Sequence, residues 1–259
     1  MKMKMFNYII KCTISGAVVG SVGICLYIKF RRPNKQILIS IDGNIGSGKS
    51  TLVDLIKSHA DKIPGLVIVH EPVRKWKKIG ILNKFYSNPM EWAFQFQSYV
   101  LITRTMALLE AINNPKNKVI ITERCLETDL MIFCDLLGNE GCLNKTEMKL
   151  YSSMYELIRH DIVKKTVNGI IYVDTDPTLS YSRIVGRNRL EETPITKEYV
   201  YKVHKQHEKW LKSKKVCNTD KPIRHFVYKI NGELDFKDIN SEDSTNTIKN
   251  ILKYIKSIQ

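Results

Sequence analysis

Residues 36–51 read QILISIDGNIGSGKST, and the reading of this stretch decides the fold. Ile37, Leu38, Ile39 and Ile41 form a short apolar run, mostly β-branched, of the kind a buried parallel strand needs. The run breaks at Asp42, and Gly43, Asn44, Ile45, Gly46, Ser47, Gly48, Lys49 and Ser50 fit the phosphate-loop pattern G-x-x-x-x-G-K-[ST], with Thr51 following. The glycines let successive backbone N–H groups turn inward on a polyphosphate, and a helix starting near Ser50 adds the positive end of its dipole. Lys49 is expected to reach the outer phosphates of a nucleoside triphosphate, and the Ser50 hydroxyl to sit on Mg²⁺. Leu52, Val53, Leu55 and Ile56 carry the helical spacing the motif requires after it. A glycine-rich turn matching by accident would not need both flanks.

Outward toward the N-terminus, no acidic residue precedes Asp42, while Lys2, Lys4, Lys11, Lys29, Arg31, Arg32 and Lys35 are basic. Between Lys11 and Lys29 runs the uncharged CTISGAVVGSVGICLYI, at the short limit for crossing a bilayer. Residues 8–28 are therefore read as a membrane-associating segment, with a mitochondrial leader as the second reading and a cleaved signal or a tail as further ones. A secretory fate fits poorly with a loop that needs cellular ATP. Pro33-Asn34 marks a boundary, giving a targeting or anchor segment over 1–35 and one folded domain over 36–259. Localisation is expected to be intracellular, either mitochondrial or membrane-anchored with the domain on the cytosolic side.

The formal net charge of +15 comes mostly from lysines spread along the chain, without a basic stripe interleaved with aromatics. That pattern fits a solvated surface, and nucleic acid is not expected as a partner. Six cysteines show no C-x-x-C pair and no zinc spacing, which fits free thiols in a reducing compartment.

Outward toward the C-terminus, apolar runs predict strands at Gly65–His70, Lys118–Thr122, Gly169–Val173 and His225–Ile230. Helical spacing predicts helices over Met90–Asn113, Asp129–Leu137, Thr146–Lys164, from Asp176-Pro177, over Thr196–Lys212 and over Ser244–Ile258. Five strands alternating with helices mean an α/β protein with a doubly wound, five-stranded parallel sheet. Glu71 falls at the carboxyl end of a strand, where ligands gather in such sheets. A lone glutamate there is usually structural, but beside a triphosphate site it reads as a general base for an acceptor hydroxyl. Arg124 would neutralise a transferring phosphoryl group or else pair with a core carboxylate. Arg183, Arg187 and Arg189 crowd before a loop and suggest a lid that closes over phosphates.

These motifs together resemble the deoxynucleoside kinases, the group with deoxycytidine, deoxyguanosine and mitochondrial thymidine kinases. The resemblance runs from about Gln36 to the C-terminus on GNIGSGKST, HEPVRKW, FYSNPMEWAFQFQSY-x-x-x-x-R, TER-x-x-x-x-D and the lid R-x-R-x-E-E. It implies ATP-dependent phosphorylation of a deoxynucleoside 5′-hydroxyl, with Mg²⁺, by a homodimer packed through long helices. Glu71 would then be the base, with Arg124 holding the same region. Glu123 would join Ser50 at Mg²⁺, and Tyr86 and Glu192 would bond the 3′-hydroxyl. Gln97 would read the base edge with Arg104 and Asp129 behind it, while Trp76, Phe96 and Phe133 wall the base. Asp235-Phe236 resembles the family's loop against the adenine. Cys125 departs from the family, which usually has serine there.

Asp129 accepts when ionised and so suits the exocyclic amino group of cytosine or adenine, whereas thymine offers an O4 acceptor and a methyl. Deoxycytidine and purine deoxynucleosides are therefore expected over thymidine, although Val100 narrows the floor of such a pocket. The rivals are a thymidine-preferring deoxynucleoside kinase, a thymidylate kinase and a nucleotide-binding module without turnover. A thymidylate kinase would bring a phosphate dianion against Glu71, and a mere binding module needs no lid, base and acceptor pocket together.

Overall fold

The computed structural model describes residues 36–213 and 226–258. Five parallel strands, β1 (Ile37–Gly43), β2 (Leu66–Val69), β3 (Val119–Glu123), β4 (Gly169–Asp174) and β5 (Phe226–Asn231), form one sheet in the order β2-β3-β1-β4-β5. The register places Ile41 beside Glu123 and Gly43 beside Val173, so the phosphate loop leaves the middle of the sheet at its carboxyl edge. This crevice is where doubly wound sheets bind ligands.

Period-two alternation divides the core into two layers. Ile37, Ile39 and Ile41 point to the face covered by α1 (Lys49–Ser58) and, at the far end of the chain, the helix Glu242–Ser257. Leu38, Ile120 and Ile170 point to the other face, where a 25-residue helix, Pro89–Asn113, packs. Every residue of β1 is buried, which is why its run is apolar on both faces apart from Ser40 and Asp42, whose side chains bond each other.

Between β2 and that long helix lie two short helices absent from the sequence expectation, α2 (Val73–Lys78) and α3 (Ile81–Ser87). They are joined by Gly80 in the left-handed region at φ 73°. The long helix is then α4. The helix expected from Asp129 begins earlier, as α5 (Leu126–Thr128), passes through a π-helical turn over Asp129–Cys134 and continues as α6 (Asp135–Asn139). Such wide turns are frequent at functional sites. The helix expected over Thr146–Lys164 is α7 (Lys145–Leu157), capped by Asn144 with Glu147, and a second π-helical turn ends it at Lys164. Asp176 caps α8 (Pro177–Gly186) by accepting from the N–H groups of Thr178 and Leu179, as its sequence suggested. The lid segment and its 3₁₀ turn Leu190–Glu192 follow, then α9 (Lys197–Ser213), β5 and α10 (Glu242–Ser257).

Cys125, Cys134 and Cys142 are free thiols. Among the described residues no helix is long and apolar enough to cross a membrane. The anchor or leader expected over 1–35 lies outside the described residues.

Candidate active site

The phosphate loop is shaped by its glycines. At Gly46, φ is 77°, and a Cβ there would collide with the Ser180 carbonyl of α8 and lie 2.9 Å from Ile184 Cγ1. Only glycine lets α8 pack this close to the loop. Arg183 then ties the two together, donating to the carbonyl of Ser47 at 3.3 Å and of Gly232 at 2.7 Å. Asn44 also braces the loop: its amide donates to Val200 O at 2.9 Å and its carbonyl accepts from Ile45 N–H. Ile45 packs with Ile184, Ile195 and Val200. Lys49 curls over the loop, donating to the carbonyls of Gly43 at 3.0 Å and Asn44 at 2.5 Å. Burial, and then the Arg124 guanidinium, pull its ammonium down to about 7. The loop from Gly46 to Thr51, Arg183, Arg187, Arg189 and residues 234–237 border a cleft of about 670 Å³.

On the other side of Lys49 lies a cluster of buried charges. Arg124 sits in the left-handed region, at φ 64°, with its N–H on Ile41 O at 3.0 Å. That turn throws its guanidinium back over the end of β1, where Nη1 meets both Glu71 oxygens at 3.1 and 2.9 Å. Arg104, from the middle of α4, forks onto Asp129 with Nε at 2.7 Å and Nη2 at 3.1 Å. The same Nη2 reaches Glu71 Oε1 at 2.9 Å, and Nη1 donates to Glu123 O at 2.7 Å. One guanidinium therefore joins two carboxylates and the end of β3. Burial raises the Glu71 pKa, but Arg124 and Arg104 outweigh it and hold the carboxyl at about 2. Burial wins at Asp129, whose carboxyl rises to about 6 despite Arg104.

Ser50 Oγ donates to Glu123 Oε1 at 2.5 Å, and Glu123 Oε2 accepts the Glu71 N–H at 3.4 Å. A hydroxyl and a carboxylate beside Lys49 are hard oxygen donors that suit Mg²⁺.

These charges form one end of a second cleft, of about 820 Å³, which shares Gly46, Lys49, Ser50, Arg187 and Arg189 with the first. Its walls are aromatic. Trp76 donates its indole N–H to Thr103 and meets Phe96 edge-on, with ring centroids 5.6 Å apart. Phe85 stacks on Phe96 at 4.6 Å, and Phe133 lies under the Arg124 guanidinium at 5.2 Å. Gln97 is buried on this wall, and its amide has no hydrogen-bond partner among the described residues. At the mouth, Glu192 accepts from Arg187 Nε at 2.6 Å and from Arg189 Nη1 at 3.4 Å. Burial and the Glu192 charge push the nearby Tyr86 phenol up.

Residues 39–255 match the deoxynucleoside kinase family. The chain belongs to the deoxynucleoside kinases. A probable deoxycytidine kinase of Fowlpox virus is 34% identical over 220 residues, covering 85% of this chain and 88% of the viral protein. The deoxycytidine kinases of Bos taurus and Homo sapiens are 32% and 31% identical over 196 residues, covering 67% of this chain and 74% of each relative. The chain is thus an enzyme that phosphorylates deoxynucleosides, with a nucleoside and a nucleotide as substrates.

In this deoxynucleoside kinase the expected residues, Gly43 and Asn44 apart, border two clefts that meet at Lys49. Asn44 donates to the Val200 carbonyl and accepts from the Ile45 N–H, and Arg183 donates through Nη1 to the carbonyls of Ser47 and Gly232. Phe236 is buried with Ile248 and Ile251, and the Asp235-Phe236 loop borders the smaller cleft beside the phosphate loop. Arg104, expected behind Gln97 as the partner of Asp129, also holds Glu71.

Sequence reading missed Asp42 as more than a strand break. Its buried carboxylate accepts from the Ser40 and Thr128 hydroxyls and sees the Cys125 thiol at 3.9 Å, joining β1 to the start of α5. Cys125 caps that helix, its backbone N–H donating to Thr128 Oγ1 at 3.3 Å, so the thiol in place of serine leaves Arg124 its contacts. Lys77, Tyr199 and Gly232 also border the clefts, and no motif spacing pointed to them.

Proposed function

We propose that this kinase transfers the terminal phosphoryl group of ATP to the 5′-hydroxyl of a deoxynucleoside, and that it prefers deoxycytidine and purine deoxynucleosides to thymidine. The observation that carries the reading is the chain Asp129–Arg104–Glu71 at the closed end of the larger cleft. It spans from a base-recognition carboxylate to an acceptor-side carboxylate through one fixed guanidinium.

Glu71, held at about 2, is ionised at neutral pH and is a weak base. That suits phosphoryl transfer, whose loose transition state leaves little charge on the attacking oxygen until the bond to phosphorus forms. Glu71 accepts a hydrogen bond from the 5′-hydroxyl, orients it, and takes its proton late. Arg104 and Arg124 fix the Glu71 oxygens, so no reorganisation is needed when the proton moves. Lys49 releases the loop carbonyls for the outer phosphates, and Arg187 and Arg189 neutralise them from the lid. Ser50 and Glu123 would hold Mg²⁺, which when bound offsets the charge that gathers between the outer phosphates.

Base choice follows from Asp129. Its carboxylate accepts from an exocyclic amino group, whereas thymine would set O4 against it and press a methyl on Arg104. A thymidylate kinase is the weaker reading, because its acceptor dianion would face Glu71 and Glu123. An ADP-release assay with MgATP over the four natural deoxynucleosides and thymidine monophosphate tests this. Turnover of deoxycytidine and the purine deoxynucleosides is expected; turnover of the monophosphate alone would overturn the reading.

A further inference from the structure

Lys77 stands on α2, directly after the Glu71-Pro72 strand end, and Glu191 stands in the lid turn Leu190–Glu192, 114 residues on. Lys77 Nζ lies 2.9 Å from Glu191 Oε2, across the mouth of the larger cleft. The other ion pairs of the turn are internal, since Arg187, Arg189 and Glu192 all belong to the lid. Leu190 at the tip is 84% exposed and anchors nothing. Among the described residues, Lys77–Glu191 is therefore the side-chain hydrogen bond that ties residues 187–193 to the acceptor side of the cleft. The turn packs against α3, which carries Tyr86, so the tie also sets where Glu192 stands relative to that phenol.

We propose that Lys77 is a positioning residue that latches the lid over the bound deoxynucleoside through Glu191. The proposal rests on the reading of the larger cleft as the deoxynucleoside site. The two side chains are 34% and 25% exposed, so the bond is weak and screened by salt. A lid that opens once per turnover needs a latch of that strength; a buried pair would hold product in place.

The test uses the full chain, with KM for deoxycytidine, kcat and product release measured at low and high salt. Lys77→Met is expected to raise KM about 2–5-fold, and Lys77→Glu, which opposes two carboxylates, about 10-fold, with kcat moving less than KM. Product release speeds up in both. The exchange Lys77→Glu with Glu191→Lys restores KM to within about twofold of the unmodified enzyme. Salt raises KM in the unmodified and exchanged enzymes and leaves Lys77→Met nearly flat. Thermal melting of each variant, expected to match the unmodified enzyme, separates a latch from a fold defect. Single reversals that leave KM unchanged, or an exchange no better than either single, overturn the latch while the cleft reading stands. An unmodified enzyme inert toward every deoxynucleoside overturns both.

Discussion

The two sides of the phosphate loop carry similar residues and treat them in opposite ways. On the acceptor side Arg104 and Arg124 are each 6% exposed and are already committed to Glu71 and Asp129. On the lid side Arg187 and Arg189 are 31% and 44% exposed, and both bond Glu192 within their own segment. Buried charges have lost their water, so their partners are obligatory and their geometry is fixed before substrate arrives. Exposed charges keep their water and exchange partners cheaply. On the proposed reading, acceptor chemistry is thus built as a rigid block and donor closure as a movable one. Substitutions should cost much on the first side and little on the second.

The largest expected effect is at Glu71. Glu71→Gln keeps the shape and removes the charge, so kcat should fall about 10²–10⁴-fold, the range for a lost general base, with nucleoside affinity changed far less. The variant also leaves Arg104 and Arg124 with one anion fewer, at a cost on the order of 3 kcal/mol in stability at neutral pH. The folded pKa of Glu71 is depressed from 4.5 to about 2. Its contribution to stability is therefore full above about pH 4.5 and is lost as pH falls toward 2, where variant and parent should melt alike. Chemical denaturation of both proteins across pH 2–7 checks the slope. Near-normal turnover in the variant would remove Glu71 from the mechanism.

A smaller effect distinguishes the loop itself. Lys49 must be charged to hold phosphates, yet its pKa in the free protein is about 7. Nucleotide affinity should weaken by up to tenfold per pH unit above about 7, and binding at pH 8 should take up close to one proton. Calorimetry in buffers of different ionisation enthalpy reads that proton directly. Lys49→Arg, charged at every pH, should abolish the uptake. Affinity that is flat from pH 6 to 9 in the parent would place the lysine outside this electrostatic block.

The same division explains what was legible in the sequence. The five strands were, because parallel strands buried on both faces are near-continuous apolar runs, as at Ile37–Ile41, broken by Ser40 alone, and Gly169–Val173. The phosphate loop was, because its spacing is local. The short helices α2 and α3, six and seven residues long, are below the length at which a helical period shows. The Arg104–Glu71 bond joins the middle of α4 to the end of β2, and nothing in either segment encodes which carboxylate a guanidinium reaches first. Asp42 looked like a strand terminator because its partners, Ser40 aside, come from α5. The Asp235-Phe236 pair was placed by resemblance, and only the fold shows that it borders the cleft beside the phosphate loop while Phe236 is buried with Ile248 and Ile251.

On the proposed reading, the Arg104–Asp129 pair both braces the acceptor block and chooses the base. The most direct test measures kcat/KM for deoxycytidine and thymidine side by side, in the unmodified enzyme and in Arg104→Met with Asp129→Ala. The unmodified enzyme is expected to favour deoxycytidine about 10²-fold or more, because a buried polar mismatch costs several kcal/mol. That ratio should narrow below about pH 6, where Asp129 takes a proton and stops acting purely as an acceptor. The double variant should shrink or reverse the preference. Equal or better thymidine activity in the unmodified enzyme, or a preference the double variant leaves untouched, would contradict the account.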